Sequence, residues 1–287
     1  MKLILCRVVI ALALFTAPAW AQSGKVELQW LGQSATKLTT PSGKVIVVDP
    51  YLTKNPKTPE QYRNLDSLGK VDLVLVTHAH GDHLGDAPEI VKKQNAPLWA
   101  PAGLAQALNT LGIVPANLAN RMSQGGSITP FGADGVRITM VHAEHNSELA
   151  WNNPATGKLE THFGGEPCGY ILQFENGFKI YHMGDTALFG DMKLIGDYYK
   201  PDLILIPIGG GQYVMNPVDA AYATRNFLKA KYALPVHYAT NPFLVGTPQE
   251  YIKALGKSST KVFALNPGDK IEIEKAQRGG FQLSEAK

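Results

Sequence analysis

Residues 71 to 86 read VDLVLVTHAHGDHLGD. Val71 to Val76 is apolar but for Asp72, and an apolar run without alternation suits a strand covered on both faces, as in a parallel or layered sheet. The run then breaks into three of the chain's eight histidines and two aspartates within nine positions. Loops at the carboxyl ends of strands are where α/β sheets gather their sites. His78 and His80, two apart, point the same way on extended backbone, and Gly81 lets the chain bend so that Asp82 and His83 reach a second position. A solvated polar turn is the bland alternative, but so many imidazoles and carboxylates would compete as they titrate. A divalent ion removes that conflict, because it requires neutral imidazoles and charged carboxylates.

The first residues, MKLILCRVVIALALFTAPAWAQSG, place Lys2 and Arg7 around an apolar stretch ending at Phe15 and then Ala19-Trp20-Ala21. This is the pattern of a cleaved secretory signal, cut after Ala21, which leaves residues 22–287 as the mature chain and a periplasmic or secreted location. The uninterrupted apolar core, Val8 to Phe15, is 8 residues, against roughly 20 for a spanning helix, so no stable membrane anchor is expected. Cleavage removes two basic residues and leaves 25 basic against 24 acidic, a net of +1. That balance offers no electrostatic footprint for nucleic acid. It also removes Cys6, so Cys168 stands alone and no internal disulfide can form.

Short β-rich runs recur at 26 to 31, 44 to 50, 136 to 142, 169 to 174, 178 to 185, 202 to 210 and 232 to 237. Helical patterns separate the later ones: PAGLAQALNTLG from Pro101, and NPVDAAYATRNFLKAK with Asn216 as N-cap before Pro217. Strands first and alternation later predict a single layered α/β domain of sheets covered by helices. The stretch from 146 to 169 is polar and turn-rich, and long enough to be a functional loop.

HAHGDH, from His78 to His83, resembles the H-x-H-x-D-H signature of the metallo-β-lactamase fold superfamily. Later segments extend the resemblance in order: AEHNS around His145, YHMGDTALFGD around Asp185, and ALPVHYATNPF around His237. LQWLGQSATKLTTPSGKVIVVDPYLTKNP, GDTALFGDMKLIGDYYKPDLILIPIGG and LNPGDKIEI are similar to the branch containing L-ascorbate-6-phosphate lactonase and N-acyl-phosphatidylethanolamine phospholipase D. GGEPCG, from Gly164 to Gly169, also fits, as a turn near the site. One departure is Gln33, where the branch often carries histidine, so no proton-carrying or ligand role is transferred to it.

The resemblance implies a four-layer αββα sandwich and two divalent ions, with zinc first and manganese or iron as alternatives. His78, His80 and His145 would hold one ion, and Asp82, His83 and His237 the other, with Asp185 bridging. His142 is the alternative to His145. Imidazole and carboxylate without thiolate suit those metals, and Cys168 lies outside the ligand segments. A hydroxide shared by two such ions is available near neutral pH, since zinc brings bound water to a pKa of about 7. Asp82, ligating and orienting that hydroxide, and Asp185 are therefore the candidate catalytic residues. The expected activity is hydrolysis of a small-molecule ester, lactone, amide or phosphodiester. A β-lactamase is the nearest rival, disfavoured by Asp185 at the bridging place, and a non-catalytic metal-binding module is the other. Asp49 is read as a carboxylate orienting a ligand histidine. His182 is read as a structural histidine, His162 as a surface residue or substrate contact, and Tyr238 as packing or an oxyanion donor. No particular oligomeric state is implied.

Overall fold

The computed structural model describes residues 24–277 and 279–286, so the leader expected at 1–21 lies outside the described residues. A first sheet begins with β1 (Val26–Gly32), β2 (Ala35–Thr39), β3 (Val45–Val48), β4 (Leu73–Leu75), β5 (Leu98–Pro101) and β6 (Ala119–Met122). The first three pair antiparallel, and from β3 onward each neighbour is parallel. Helices α1 (Glu60–Arg63), α2 (Gly81–Leu84), α3 (Ala87–Gln94) and α4 (Ala102–Thr110) lie in the crossovers. The chain then enters a second sheet with β7 (Ser127–Ile128) and β8 (Arg137–His142), and makes a separate hairpin of β9 (Glu148–Asn152) and β10 (Leu159–Phe163). The second sheet continues through β11 (Cys168–Gln173), β12 (Lys179–His182), β13 (Leu203–Pro207), β14 (Tyr232–Val236) and β15 (Lys261–Val262). Helices α5 (Met192–Tyr199), α6 (Pro217–Tyr222) and α7 (Pro248–Leu255) alternate with these strands, and β16 (Lys270–Lys275) and β17 (Phe281–Ala286) return to the first sheet beside β1.

Three apolar clusters fill the three spaces between four layers, the αββα order expected. Leu73 and Leu75 of β4 face Leu203 and Leu205 of β13 between the sheets, while Val74 and Val76 face Ile90 of α3 and Leu104 of α4. Ile204 and Ile206 face Met192 and Ile195 of α5 on the opposite side. A strand covered on both faces has no polar side to declare, which is why these runs show no alternation. Each such side chain contributes about 1.5–3 kcal/mol by leaving water. Asn216 caps α6 as expected, its side chain accepting from the Val218 and Asp219 backbone N–H groups, with Pro217 in the first turn.

The stretch from 146 to 169 is a correction: it is not irregular but forms the β9–β10 hairpin, paired from Glu148↔Phe163 to Asn152↔Leu159. Its polarity follows from its place outside the two main sheets. Asn153 closes the tip, its side chain accepting from the Ala155 N–H and its backbone N–H donating to Lys158. Among the described residues no helix is long and apolar enough to cross a membrane.

Candidate metal centre

One edge of the sandwich collects the polar carboxyl ends of five strands. Asp49 follows β3, the segment from Thr77 to His83 follows β4, His145 follows β8, Asp185 follows β12, and His237 follows β14. Gln33 joins them from the β1–β2 turn. Gln33, Asp49 and His237 adopt left-handed backbone, at φ 51°, 48° and 55°. Such conformations cost on the order of 1–3 kcal/mol each and persist only where surroundings dictate them. Here the Asp49 N–H donates to the Leu75 carbonyl at 3.0 Å, and the Gln33 carbonyl accepts from the His237 N–H at 3.0 Å and from the Trp30 indole at 2.9 Å.

All seven side chains read from the sequence lie in this cluster, in two groups: His78, His80 and His145, then Asp82, His83, Asp185 and His237. Within each group the candidate ligand atoms all lie within 4.8 Å of one another. The Asp185 carboxylate lies between the groups, with Oδ1 3.1 Å from His83 Nε2 and Oδ2 2.9 Å from His237 Nε2 and 3.6 Å from His145 Nε2. Among the described residues, three buried ring nitrogens here have no hydrogen-bond partner: His78 Nε2, His145 Nε2 and His237 Nδ1. A buried polar atom without a partner is costly, and a cation would satisfy those aimed into the cluster. The donor set, imidazole and carboxylate without thiolate, fits such an ion.

Electrostatics divide the groups. Burial, then the neighbouring His83, pushes His78 well below the ordinary histidine range, and burial lowers His145 as well. Both are therefore neutral, the form a metal requires. Burial is the largest single influence on His83 and His237 and opposes their charge, but the surrounding carboxylates together outweigh it, Asp185, Asp49 and Asp82 at His83 and Asp185 with Asp82 at His237, and raise both, His237 to about 9. Burial would raise the Asp185 carboxyl, yet His237 and His83 hold it well below its usual range. Protons on these two histidines thus balance the carboxylates as a cation would.

Outer contacts fix the ligands' orientation. The buried Asp49 accepts from the Thr77 N–H at 2.8 Å, the Thr77 hydroxyl at 2.7 Å and His83 Nδ1 at 2.8 Å. The Thr77 oxygen in turn lies 3.1 Å from His78 Nδ1. One carboxylate therefore turns the Nε2 atoms of both His78 and His83 inward. On the other side Glu148 of β9 faces His80 Nε2 at 3.2 Å, leaving Nδ1 for the cluster. Gln33 is 1% exposed, with Nε2 2.8 Å from Asp82 Oδ2 and 2.7 Å from His237 Nε2, while the Thr240 hydroxyl donates to Oε1.

The remaining candidates lie apart from the cluster. The His142 side chain is 39% exposed and pairs with Glu144. His162 sits on the hairpin, 3.1 Å from Glu160 and edge-on to Trp151. His182 is buried, with Nε2 donating to the Ser34 carbonyl at 2.9 Å, a structural histidine. Tyr238 packs on Trp30, and burial raises its phenol to about 12. A cavity of about 280 Å³ opens over the donors. Its walls include Tyr213, outside every motif segment, Tyr51, Thr240 and Asn241, which lie within such segments without an assigned role, and Gln33, which the sequence presented only as a departure.

The family described as the beta-lactamase superfamily domain matches residues 44–238. A UPF0173 metal-dependent hydrolase of Cupriavidus necator is 59% identical over 252 residues, covering 88% of this chain and 87% of that protein. Another, of a Polaromonas species, is 55% identical over 270 residues, covering 92% and 98%. The solved structure of Igni18, a metallo hydrolase of Ignicoccus hospitalis, superposes with a TM-score of 0.72 at 30% identity, covering 88% of this chain and 100% of that one. With the donors gathered at one edge of an αββα sandwich and relatives of this likeness, the chain belongs to the metal-dependent hydrolases of the metallo-β-lactamase superfamily.

Proposed function

We propose that this protein is an exported hydrolase holding two divalent ions, zinc first, with manganese or iron as alternatives. His78, His80 and His145 would hold one ion, Asp82, His83 and His237 the other, and Asp185 both. The observation that carries this reading is the Asp185 carboxylate lying between two donor groups, with Oδ1 on His83 and Oδ2 on His237 of one group and within 3.6 Å of His145 of the other. The chemistry such ions supply is a hydroxide nucleophile near neutral pH and polarisation of the substrate oxygen. The protein's own part is positional. Asp82 lines the cavity with a side chain 35% exposed and is held ionised, so it can accept a hydrogen bond from the nucleophile and set its direction. Asp49 and Glu148 hold the ligand rings in the tautomers that bind metal. Substrates are small esters, lactones, amides or phosphodiesters, and the leader pattern read at 1–21 supports a reaction in the periplasm or outside the cell.

Metal analysis of the purified protein should give two ions per chain. Asp185→Asn and His80→Ala should each lower that stoichiometry and reduce hydrolysis at least about a hundredfold while leaving the fold intact by circular dichroism. Wild-type turnover in both variants would overturn the reading.

A further inference from the structure

We propose that the substrate is a compact acyl compound, a neutral lactone, ester or amide with an apolar group beside the reacting carbonyl, and not one that carries an anionic group away from the reacting centre. This rests on the hydrolase reading above and narrows it. None of the ten residues lining the cavity over the donors is a lysine or arginine. Beyond the candidate ligands, the wall is uncharged: the carboxamides of Gln33 and Asn241, the Thr240 hydroxyl, and the phenols of Tyr51 and Tyr213. Lys54 lines the neighbouring depression, on the other side of Tyr51. Ions held by the candidate ligands would place their positive charge at the floor, where it would serve the reacting oxygen.

An anionic group on the substrate away from the reacting centre would leave water and meet only the neutral dipoles and aromatic faces of the wall, which offset little of its desolvation. Sites built for phosphate or carboxylate place a cationic side chain or helix N-terminus against it. The mouth instead presents Tyr213, 43% exposed, with Phe243, 53% exposed, edge-on at 6.3 Å. Exposed aromatics beside a polar floor suit a substrate whose one end is apolar. A cavity of about 280 Å³ keeps that substrate small. The same reasoning disfavours β-lactam antibiotics, which carry a carboxylate next to the ring that is opened.

The test compares phenyl acetate with 4-acetoxybenzenesulfonate on the zinc-loaded protein. The sulfonated phenolate is the better leaving group, so a preference for phenyl acetate reports the site and not intrinsic reactivity. Phenyl acetate should exceed the sulfonated ester in kcat/KM by at least tenfold, and Tyr213→Arg should shrink that lead at least tenfold. Calorimetry with acetophenone and its 4-sulfonate, ketones with no bond to hydrolyse, gives a readout independent of turnover, and acetophenone should bind at least ten times more tightly. Equal or better use of the sulfonated ester, or tighter binding of the sulfonated ketone, would overturn the inference while leaving the hydrolase reading in place. If neither ester is hydrolysed, the calorimetric pair alone decides the charge preference, and the two-ion reading stands or falls separately on the metal analysis above.

Discussion

Asp49 shows how much of the site rests on a single side chain that would touch neither ion nor substrate. Its buried carboxylate serves three donors, the Thr77 N–H, the Thr77 hydroxyl and His83 Nδ1, from a backbone at φ 48°. Asp49→Ala would leave those donors unpaired and a non-glycine, non-Asx residue in the left-handed region. A cost of about 3 kcal/mol in denaturant unfolding is expected, together with a ten- to hundredfold loss of metal affinity in chelator competition. Asp49→Asn keeps an acceptor and tolerates the backbone, so it should recover most of the stability but not the affinity. Equal metal affinity in all three proteins would show that His78 and His83 need no such orientation. Asp49 and the ligand histidines were legible because their signals are local, a strand ending in Asp-Pro and histidines two and three apart. Glu148 and Tyr213 were not, because each enters the site through tertiary contacts that adjacent residues do not encode. Gln33 was visible only as a missing histidine, and its contacts with Asp82 and His237 depend on the β1–β2 turn meeting the end of β14.

At the scale of elements, the hairpin β9–β10 is joined to the ligand loop by close backbone approach. A methyl group at Gly164 would stand 2.3 Å from the Ala79 Cβ and 2.4 Å from the Ser147 carbonyl oxygen, too close for any contact to survive. The Ser147 hydroxyl, in turn, donates to the Gly164 carbonyl at 2.9 Å and accepts from the Ala79 N–H at 3.1 Å. Gly164→Ala would therefore push apart the hairpin that carries Glu148 and the loop that carries His78 and His80. Thermal unfolding should show a loss of roughly 2 kcal/mol, with weaker metal binding. Gly190→Ala, where nothing lies within 4 Å, should stay within about 0.5 kcal/mol of the parent. If Gly164→Ala matches that control, the approach is not a constraint. This gives GGEPCG a role that sequence reading left as a turn. Strands β1, β3, β4, β8 and β11 to β14 were legible because each apolar run is bounded by turn residues, whereas short or edge strands such as β2, β7 and β17 carry no such run. The hairpin was not, because it packs outside the sandwich and so carries no apolar stripe to mark it.

Over the whole molecule, the seven donors span positions 78 to 237 and come from both sheets. His78 to His83 follow the first sheet, whereas His145, Asp185 and His237 follow strands of the second. Ions bound among them would tie the open edge of the sandwich, which the core between the sheets closes elsewhere. Such a tie exists only in the folded chain, because unfolding scatters the ligands over some 160 positions. Linkage then sets the stabilisation, about 4 kcal/mol when free metal stands at a thousand times its Kd. At roughly 2–4 °C per kcal/mol for a chain of this size, stripping the protein with chelator should lower Tm by on the order of 10 °C, and zinc or manganese should restore it. The loss should be smaller in Asp185→Asn, which has less metal to surrender. A metal-loaded protein whose melting ignores the chelator, with its ions removed, would place those ions outside the edge where the two sheets meet.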